Sequence, residues 1–207
     1  ALLAVAATFW IGRTLGGTRI GMLAALVTGS GMAFIRQARI ASYDTHLMGW
    51  ATLAVASGLW AMKGESRSRI AAGWLLSTLV LAAASYTKGP LAFALVLAPL
   101  AAALVAFPDR RARNTAGVAI CVGAAAALVT PWLIAAAGTA PDAVRALDRE
   151  YRFILEAFHN PFFYFSVVAV VFPWSLWLAA ALIRVVVDRA LRADRNTWFA
   201  WLGFVIV

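Results

Sequence analysis

Residues 45–62 read THLMGWATLAVASGLWAM, and residues 70–87 read IAAGWLLSTLVLAAASYT. Neither stretch of 18 residues contains a lysine, arginine, aspartate or glutamate. A helix of roughly 18 or more apolar residues is long enough to cross ~30 Å of hydrocarbon. Because only the segment KGESRSR separates the two stretches, the sequence predicts a pair of membrane-spanning helices joined by a short loop.

Other uncharged runs repeat this pattern along the 207 residues. The runs at 89–108, 114–141 and 157–183 are long enough to span a membrane, and the 16 residues at 20–35 form a shorter candidate. The first 12 and the last 12 residues are also uncharged and resemble spans cut mid-membrane, and the chain does not begin with Met. We therefore expect part of a larger protein, with residues 1–207 in one all-α, polytopic transmembrane domain of about six full spans.

The composition excludes several other classes of protein. Hydrophobic residues make up 63% of the chain and charged residues 13%, which does not suit an ordinary soluble domain. The net charge of +9 comes from short arginine clusters at span ends, without the basic stripe that a nucleic-acid partner requires. The single cysteine, Cys121, lies within a span, so no disulfide can form inside the chain.

The basic residues predict an orientation, because short loops rich in lysine and arginine face the cytoplasm. If the spans alternate, one set of loops carries twelve cations: Arg13, Arg19, Lys63, Arg67, Arg69, Arg110, Arg111, Arg113, Arg184, Arg189, Arg192 and Arg195. The opposite set carries six: Arg36, Arg39, Lys88, Arg145, Arg149 and Arg152. We expect the larger set to form plain cytoplasmic tethers. Each outward cation either snorkels to the headgroups or has a specific partner such as a carboxylate or a phosphate.

The first outward loop reads RQARIASYDTH from residue 36 to residue 46. On a helical extension of the preceding span, Arg36 and Arg39 would share one face. Asp44 is either the N-cap of the next helix or a ligand of a divalent metal or a phosphosugar. His46 is either a second ligand or a hydrogen-bonded structural residue.

Two further outward segments carry charged residues. In the turn YTKGP, residues 86–90, Lys88 either snorkels or contacts a phosphate oxygen. Residues 142–159 show helical spacing of apolar residues opposite a charged face that includes Arg152, which predicts an extracytoplasmic helix lying flat on the membrane. That helix is either a solvated element with exposed ion pairs or a movable cover over a lipid-phosphate site.

The order of these motifs resembles a known superfamily. RxARxxxxD at 36–44 is followed by TKGP, PW, the interfacial helix, HNPFFYF at 159–165 and FPWS at 172–175. This order is similar to that of the GT-C lipid-linked-sugar glycosyltransferases, in particular the protein O-mannosyltransferase and lipid A aminoarabinose transferase group. The resemblance implies transfer of a sugar, with inversion, from a polyprenyl phosphate to a lipid, glycan or protein acceptor at the outer face of the membrane.

The resemblance also implies roles for individual residues. Asp44 matches an acidic position associated with a divalent metal or the donor head group, and Lys88 matches a lysine near the donor phosphate. The resemblance extends to Arg36, Arg39, His159 and Tyr164. We expect these four residues and Arg152, on the charged face of the interfacial helix, to bind the substrate, and Asp44 and Lys88 to be catalytic. The acidic residue expected to act as catalytic base belongs to an earlier outward loop, upstream of residue 1. We expect a bacterial plasma membrane protein of the cell envelope, with undecaprenyl phosphate as carrier.

Two other functions remain open from the sequence. A transporter or lipid flippase should carry ionisable residues or broken helices near the bilayer midplane. The five long runs contain no such charges, although Pro99 leaves room for a broken helix. A structural membrane subunit would use Asp44 as a cap and Lys88 as a snorkelling residue.

Overall fold

The chain is helical in the computed structural model, which describes residues 1–40, 42–139, 142, 145, 149, 152, 156, 160, 173–176, 180, 183 and 187. Over these residues there is no strand, and the predicted all-α membrane bundle is confirmed. Residues 1–139 form α1 (Leu2–Gly16), α2 (Thr18–Ser30), α3 (Met32–Ala38), α4 (Tyr43–Met62), α5 (Arg67–Lys88), α6 (Leu91–Ala106), a 3₁₀ turn (Pro108–Arg110) and α7 (Arg111–Thr139).

The helices α4 and α5 form the predicted hairpin at the centre of the bundle. They contain 20 and 22 residues, about 30 and 33 Å of helix, and are joined by residues 63–66. Their contacts run in opposite order along the two helices. Gly73 approaches Ala61 near the loop, and the Ser77 hydroxyl donates to the Ala54 carbonyl at 2.8 Å farther along. The start of α4 and the end of α5 are therefore neighbours.

A second hairpin, α1 and α2, packs against α4. Gly17 alone joins the two helices, with a φ of 87° that favours glycine. The backbones then approach closely, because a Cβ atom on Gly21 would lie 2.7 Å from the Phe9 carbonyl oxygen. This close packing of small residues is typical of membrane helices.

The predicted span at 20–35 is not one straight helix. It breaks at Gly31, whose backbone is extended, and α3 bends away from α2 by 66°. Three consecutive small residues, Gly29, Ser30 and Gly31, precede the bend, and glycine and serine pairs are a recognised cause of sharp kinks. Arg36 therefore lies on a separate short helix, not on an extension of α2.

The helices α6 and α7 complete the described core. The helix α6 has 16 residues, fewer than the predicted span at 89–108, and contains Pro99. It packs on α4, where Leu100 fills the space beside Gly58. The helix α7 packs along α5. The Trp74 ring of α5 lies against Gly117 of α7, and a Cβ atom at Gly117 would overlap the ring.

Segments around Thr14, Lys63 and Arg110, which the sequence places on one side of the membrane, lie together at one end of the bundle. We call this end the arginine end. The Lys63 ammonium donates to the Thr14 carbonyl at 3.0 Å and lies over the Phe107 ring. Arg110 and Arg113 donate to the Gly64 carbonyl at 2.7 and 3.2 Å. These cations satisfy carbonyls at helix ends, so the loops expected to be plain tethers also hold neighbouring helix ends together.

Length and apolar composition identify membrane-crossing helices among the described residues. Two helical stretches qualify, Arg67–Lys88 and Pro108–Thr139, and the bent pair α2 and α3 would be a third. The helix α4 has 20 residues but does not qualify, and its first turn contains the polar residues Asp44 and His46. Most of the predicted span at 157–183 lies outside the described residues, so the total of about six spans stays a prediction.

The close approach of α1 and α2 predicts the effect of one methyl group. Gly21→Ala should force the two backbones apart at a cost of about 1–3 kcal/mol, which lowers the Tm of the full-length protein in detergent by about 2–10 °C. Gly29→Ala is the control in the same helix, because its Cβ would meet Val5 at an ordinary 3.7 Å. Equal Tm values for the two variants would contradict the packing described here.

Candidate functional site

Asp44 and Lys88 meet at the end of the bundle opposite the arginine end. Asp44 lies in the first turn of α4, and Lys88 is the last residue of α5. The Lys88 ammonium lies 2.7 Å from Asp44 Oδ1. The side chain of Lys88 is 19% exposed and that of Asp44 is 53% exposed. Lys88 is therefore largely enclosed by protein and contacts a carboxylate, so the simple snorkelling alternative does not describe it.

The N-cap of α4 is Ser42, so the interpretation of Asp44 as the cap was wrong. The Ser42 hydroxyl oxygen accepts from the Thr45 backbone N–H at 3.4 Å, while Asp44 already has helical backbone. Since the Ser42 hydroxyl satisfies the Thr45 backbone N–H, the Asp44 carboxylate is not needed as a cap and is available to Lys88. Its position in the first turn still favours negative charge through the helix dipole.

Gln37 is a site residue that the sequence did not reveal. Its side-chain nitrogen donates to the Ser42 hydroxyl at 2.8 Å and lies 3.5 Å from Asp44 Oδ2. Its backbone carbonyl accepts from the buried Thr45 hydroxyl at 2.9 Å. Gln37 thus joins α3 to the start of α4. The available signal was its position between Arg36 and Arg39 in the first outward loop.

The turn after Lys88 is held by α7. Gly89 has a φ of 62°, and α6 begins just after Pro90, as expected for a tight turn. The Tyr86 hydroxyl donates to the Leu128 carbonyl at 2.9 Å, and its ring packs edge-on against Trp132. Because Pro131 lacks an N–H, this turn of α7 has fewer backbone bonds of its own, and the contact with Tyr86 fixes α7 beside the end of α5.

An apolar cavity of about 710 Å³ runs along α4, and Asp44 of the ion pair is part of its lining. Among the lining residues that the structure describes, Asp44 is the one that carries a charge, and Gln37 also lines the cavity. Below them the cavity extends to Val55, eleven residues farther along α4, or about 16 Å. The described lining residues are Thr8, Ile11, Gly12, Leu15, Ile20, Ala24, Gln37, Asp44, Leu47, Met48, Ala51, Thr52, Val55, Leu91, Leu95 and Pro99.

The other residues predicted from the first outward loop do not join the ion pair. Arg36 and Arg39 are exposed at the end of α3, and Gln37 between them is the residue that reaches Asp44. A His46 ring nitrogen, Nδ1, lies 3.0 Å from the Ser42 carbonyl oxygen. This contact agrees with the structural interpretation of His46.

The later predicted residues are described only in part. Arg152 is helical and exposed, as are Asp142, Arg145, Arg149 and Glu156, which follow each other at intervals of three or four residues. His159 and Tyr164 lie outside the described residues, and the interfacial helix at 142–159 stays a prediction. From the FPWS motif, the Trp174 indole N–H donates to the Ser30 hydroxyl at 2.8 Å, beside the break between α2 and α3.

The donor groups around Asp44 do not fit a divalent metal ion. One carboxylate oxygen contacts the Lys88 ammonium, and the other faces the Gln37 amide nitrogen. Among the residues that the structure describes, no group of three histidine, cysteine, aspartate or glutamate side chains comes together. A hard cation such as Mg²⁺ or Ca²⁺ prefers several oxygen ligands. The metal at Asp44 therefore stays a prediction from the sequence alone.

Comparison with known proteins identifies the family. Neither a curated protein nor a solved structure matches the chain. Residues 1–144, which include α1 to α7 and both residues of the ion pair, match the family described as dolichyl-phosphate-mannose-protein mannosyltransferase. The match covers more than half of the chain and confirms the resemblance to the GT-C superfamily. The chain therefore belongs to the dolichyl-phosphate-mannose-protein mannosyltransferase family of membrane glycosyltransferases.

Proposed function

We propose that this protein transfers mannose or a related sugar from a polyprenyl phosphate to a hydroxyl group of an acceptor at the outer face of the membrane. The observation that carries the proposal is the Lys88–Asp44 pair beside a long apolar cavity whose lining includes Asp44. A lipid-linked sugar phosphate has an anionic head and an apolar tail, and this arrangement offers a complementary site for each. The acceptor is a protein, as in the family description, or a lipid or glycan.

The distribution of charge supports an outward-facing site. The arginine end includes three loops of the basic set, tied together by Lys63, Arg110 and Arg113. Short basic loops stay in the cytoplasm. Asp44 and Lys88 lie at the opposite end and would then face outward, where the donor sugar and the acceptor would meet.

Lys88 would stabilise the leaving phosphate. In the transfer, the bond between the anomeric carbon and a phosphate oxygen breaks, and the phosphate keeps the electron pair. The acceptor oxygen attacks the opposite face of the sugar, which inverts the anomeric centre, and its proton passes to a general base. We assign that base to none of the described residues. The developing charge on the phosphate is neutralised by the Lys88 ammonium, which Asp44 orients before the donor arrives.

The cavity would hold the first part of the polyprenyl tail. Its lining below Asp44 and Gln37 is almost entirely apolar, and the hydroxyls of Thr8 and Thr52 donate to carbonyls of their own helices. Burial of apolar surface stabilises such a complex without directional contacts. The family description favours dolichyl phosphate as the carrier over the undecaprenyl phosphate expected from the sequence. A bacterial inner membrane location stays a proposal.

The transporter or flippase alternative has less support. A transport pathway needs ionisable groups or broken helices near the midplane. Pro99 lines the cavity, and α2 breaks from α3 at Gly31. However, Asp44, the one charged residue among the lining residues that the structure describes, lies in the first turn of α4 and not near its middle. The family match independently favours a glycosyltransferase.

Removal of the Lys88 charge should impair transfer strongly. Lys88→Ala in the full-length protein should lower kcat/KM for transfer from dolichyl-phosphate mannose by roughly 10²- to 10³-fold, because the leaving phosphate loses its charge partner. Lys88→Arg keeps the charge and should retain more activity than Lys88→Ala. Arg111→Ala, at an exposed position of the arginine end, removes one positive charge as a control and should transfer at the wild-type rate. A near-normal rate for Lys88→Ala would remove its proposed role.

Filling the cavity should affect long-chain donors selectively. Ala24 lines the cavity from the middle of α2. Ala24→Phe should raise the KM of a long-chain donor by about tenfold. A short-chain donor whose tail ends before Ala24 should be unaffected. Ala124→Phe, on an exposed face of α7, is the matched control. Equal effects of Ala24→Phe on both donors would show that the tail does not lie in this cavity.

A further inference from the structure

The ion pair presents its negative partner to the cavity. Asp44 is the charged residue among the described lining residues, and its side chain is 53% exposed, whereas that of Lys88 is 19% exposed. A phosphate whose tail lies in the cavity therefore meets the Asp44 carboxylate beside the Lys88 ammonium. Asp44 Oδ1 lies 2.7 Å from the ammonium and Asp44 lines the cavity, so a phosphate that approaches Lys88 from the cavity competes with this carboxylate.

The carboxylate is able to leave that place. Ser42, not Asp44, caps α4, so no cap bond ties the Asp44 side chain to the backbone. The contact between Asp44 Oδ2 and the Gln37 amide is long, at 3.5 Å. Rotation about the side-chain torsions of Asp44 is enough to separate it from Lys88 without movement of either helix.

The donor and the lipid product differ in charge. The donor is a phosphodiester with one negative charge. When the bond to the sugar breaks, the phosphate keeps the electron pair and becomes a monoester, whose second pKa is about 6, so it carries close to two negative charges at pH 7. An isolated ammonium would bind this product more tightly than the donor. An enzyme with such a site would be inhibited by its own product.

We infer that Asp44 competes with the phosphate for Lys88 and thereby discriminates against the monoester product. This inference rests on the proposed function. The repulsion between the carboxylate and the phosphate grows with the charge on the phosphate, so it weakens product binding more than donor binding. Asp44 returns to Lys88 as the product leaves, which restores the ion pair for the next donor. Asp44 is thus a residue that sets specificity between two forms of the same lipid.

Direct binding measurements test this role. The probes are dolichyl phosphate and dolichyl-phosphate mannose, bound to the full-length protein in lipid nanodiscs at pH 7.5. Asp44→Asn should bind the donor about fivefold more tightly and the monoester about 25-fold more tightly than the wild type, since removal of one charge affects a dianion twice as strongly in free energy. Glu65→Gln, a neutralised exposed carboxylate at the arginine end, should match the wild type.

The kinetics of Asp44→Asn should change in the same sense. Its first turnover should be followed by a slow steady state, because release of the monoester becomes limiting, and added dolichyl phosphate should inhibit it more strongly than the wild type. Asp44→Ser, which also removes the carboxylate, repeats both measurements if Asp44→Asn does not fold.

The outcomes separate this inference from the proposed function. If Lys88→Ala weakens binding of both lipids but removal of the Asp44 carboxylate does not tighten binding of the monoester, the competition is overturned and the phosphate site stands. If Lys88→Ala leaves both affinities unchanged, Lys88 does not bind the phosphate, and the proposed function at this site fails as well. Weaker binding of both lipids by Asp44→Asn would indicate that Asp44 is a ligand, as in the metal prediction, and would also overturn the inference.

Discussion

The matched lengths of α4 and α5 are the constraint on which the candidate site depends. A short loop joins the two helices, and their contacts run from Gly73 beside Ala61 to Lys88 beside Asp44. Any change in this register would separate the ammonium from the carboxylate. The buried bond from Ser77 to the Ala54 carbonyl and the close packing of small residues fix the register. The polar chemistry at one end thus relies on apolar packing along the whole hairpin.

The two ends of the bundle use positive charge differently. At the arginine end, Lys63, Arg110 and Arg113 donate to backbone carbonyls of neighbouring helix ends, so their charge stabilises structure. At the other end, Lys88 contacts a side chain that a competing anion is able to replace. This difference gives a physical basis for a binding role of Lys88, because a backbone carbonyl cannot move away from its helix.

The sequence predicted the parts of the structure that depend on long-range periodicity. Uncharged runs gave the class of fold, the α4–α5 hairpin and the location of Asp44 and Lys88 at the same end, because two passes through lipid return the chain to the same side. It did not predict features decided by one local contact. Each of these features depends on which of several similar neighbouring residues makes a local contact. Examples are the break at Gly31, the cap at Ser42 and the contact of Gln37 with Asp44. The cavity depends on five helices at once and leaves no signal in a single stretch.

The most direct test is an experimental structure of the full-length protein in nanodiscs with dolichyl phosphate bound. The account predicts a phosphate oxygen about 2.8 Å from Lys88 Nζ, the Asp44 carboxylate turned away from Lys88, and the prenyl tail along α4 toward Val55. A phosphate bound elsewhere, with the Asp44–Lys88 pair intact and the cavity empty of lipid, would contradict it.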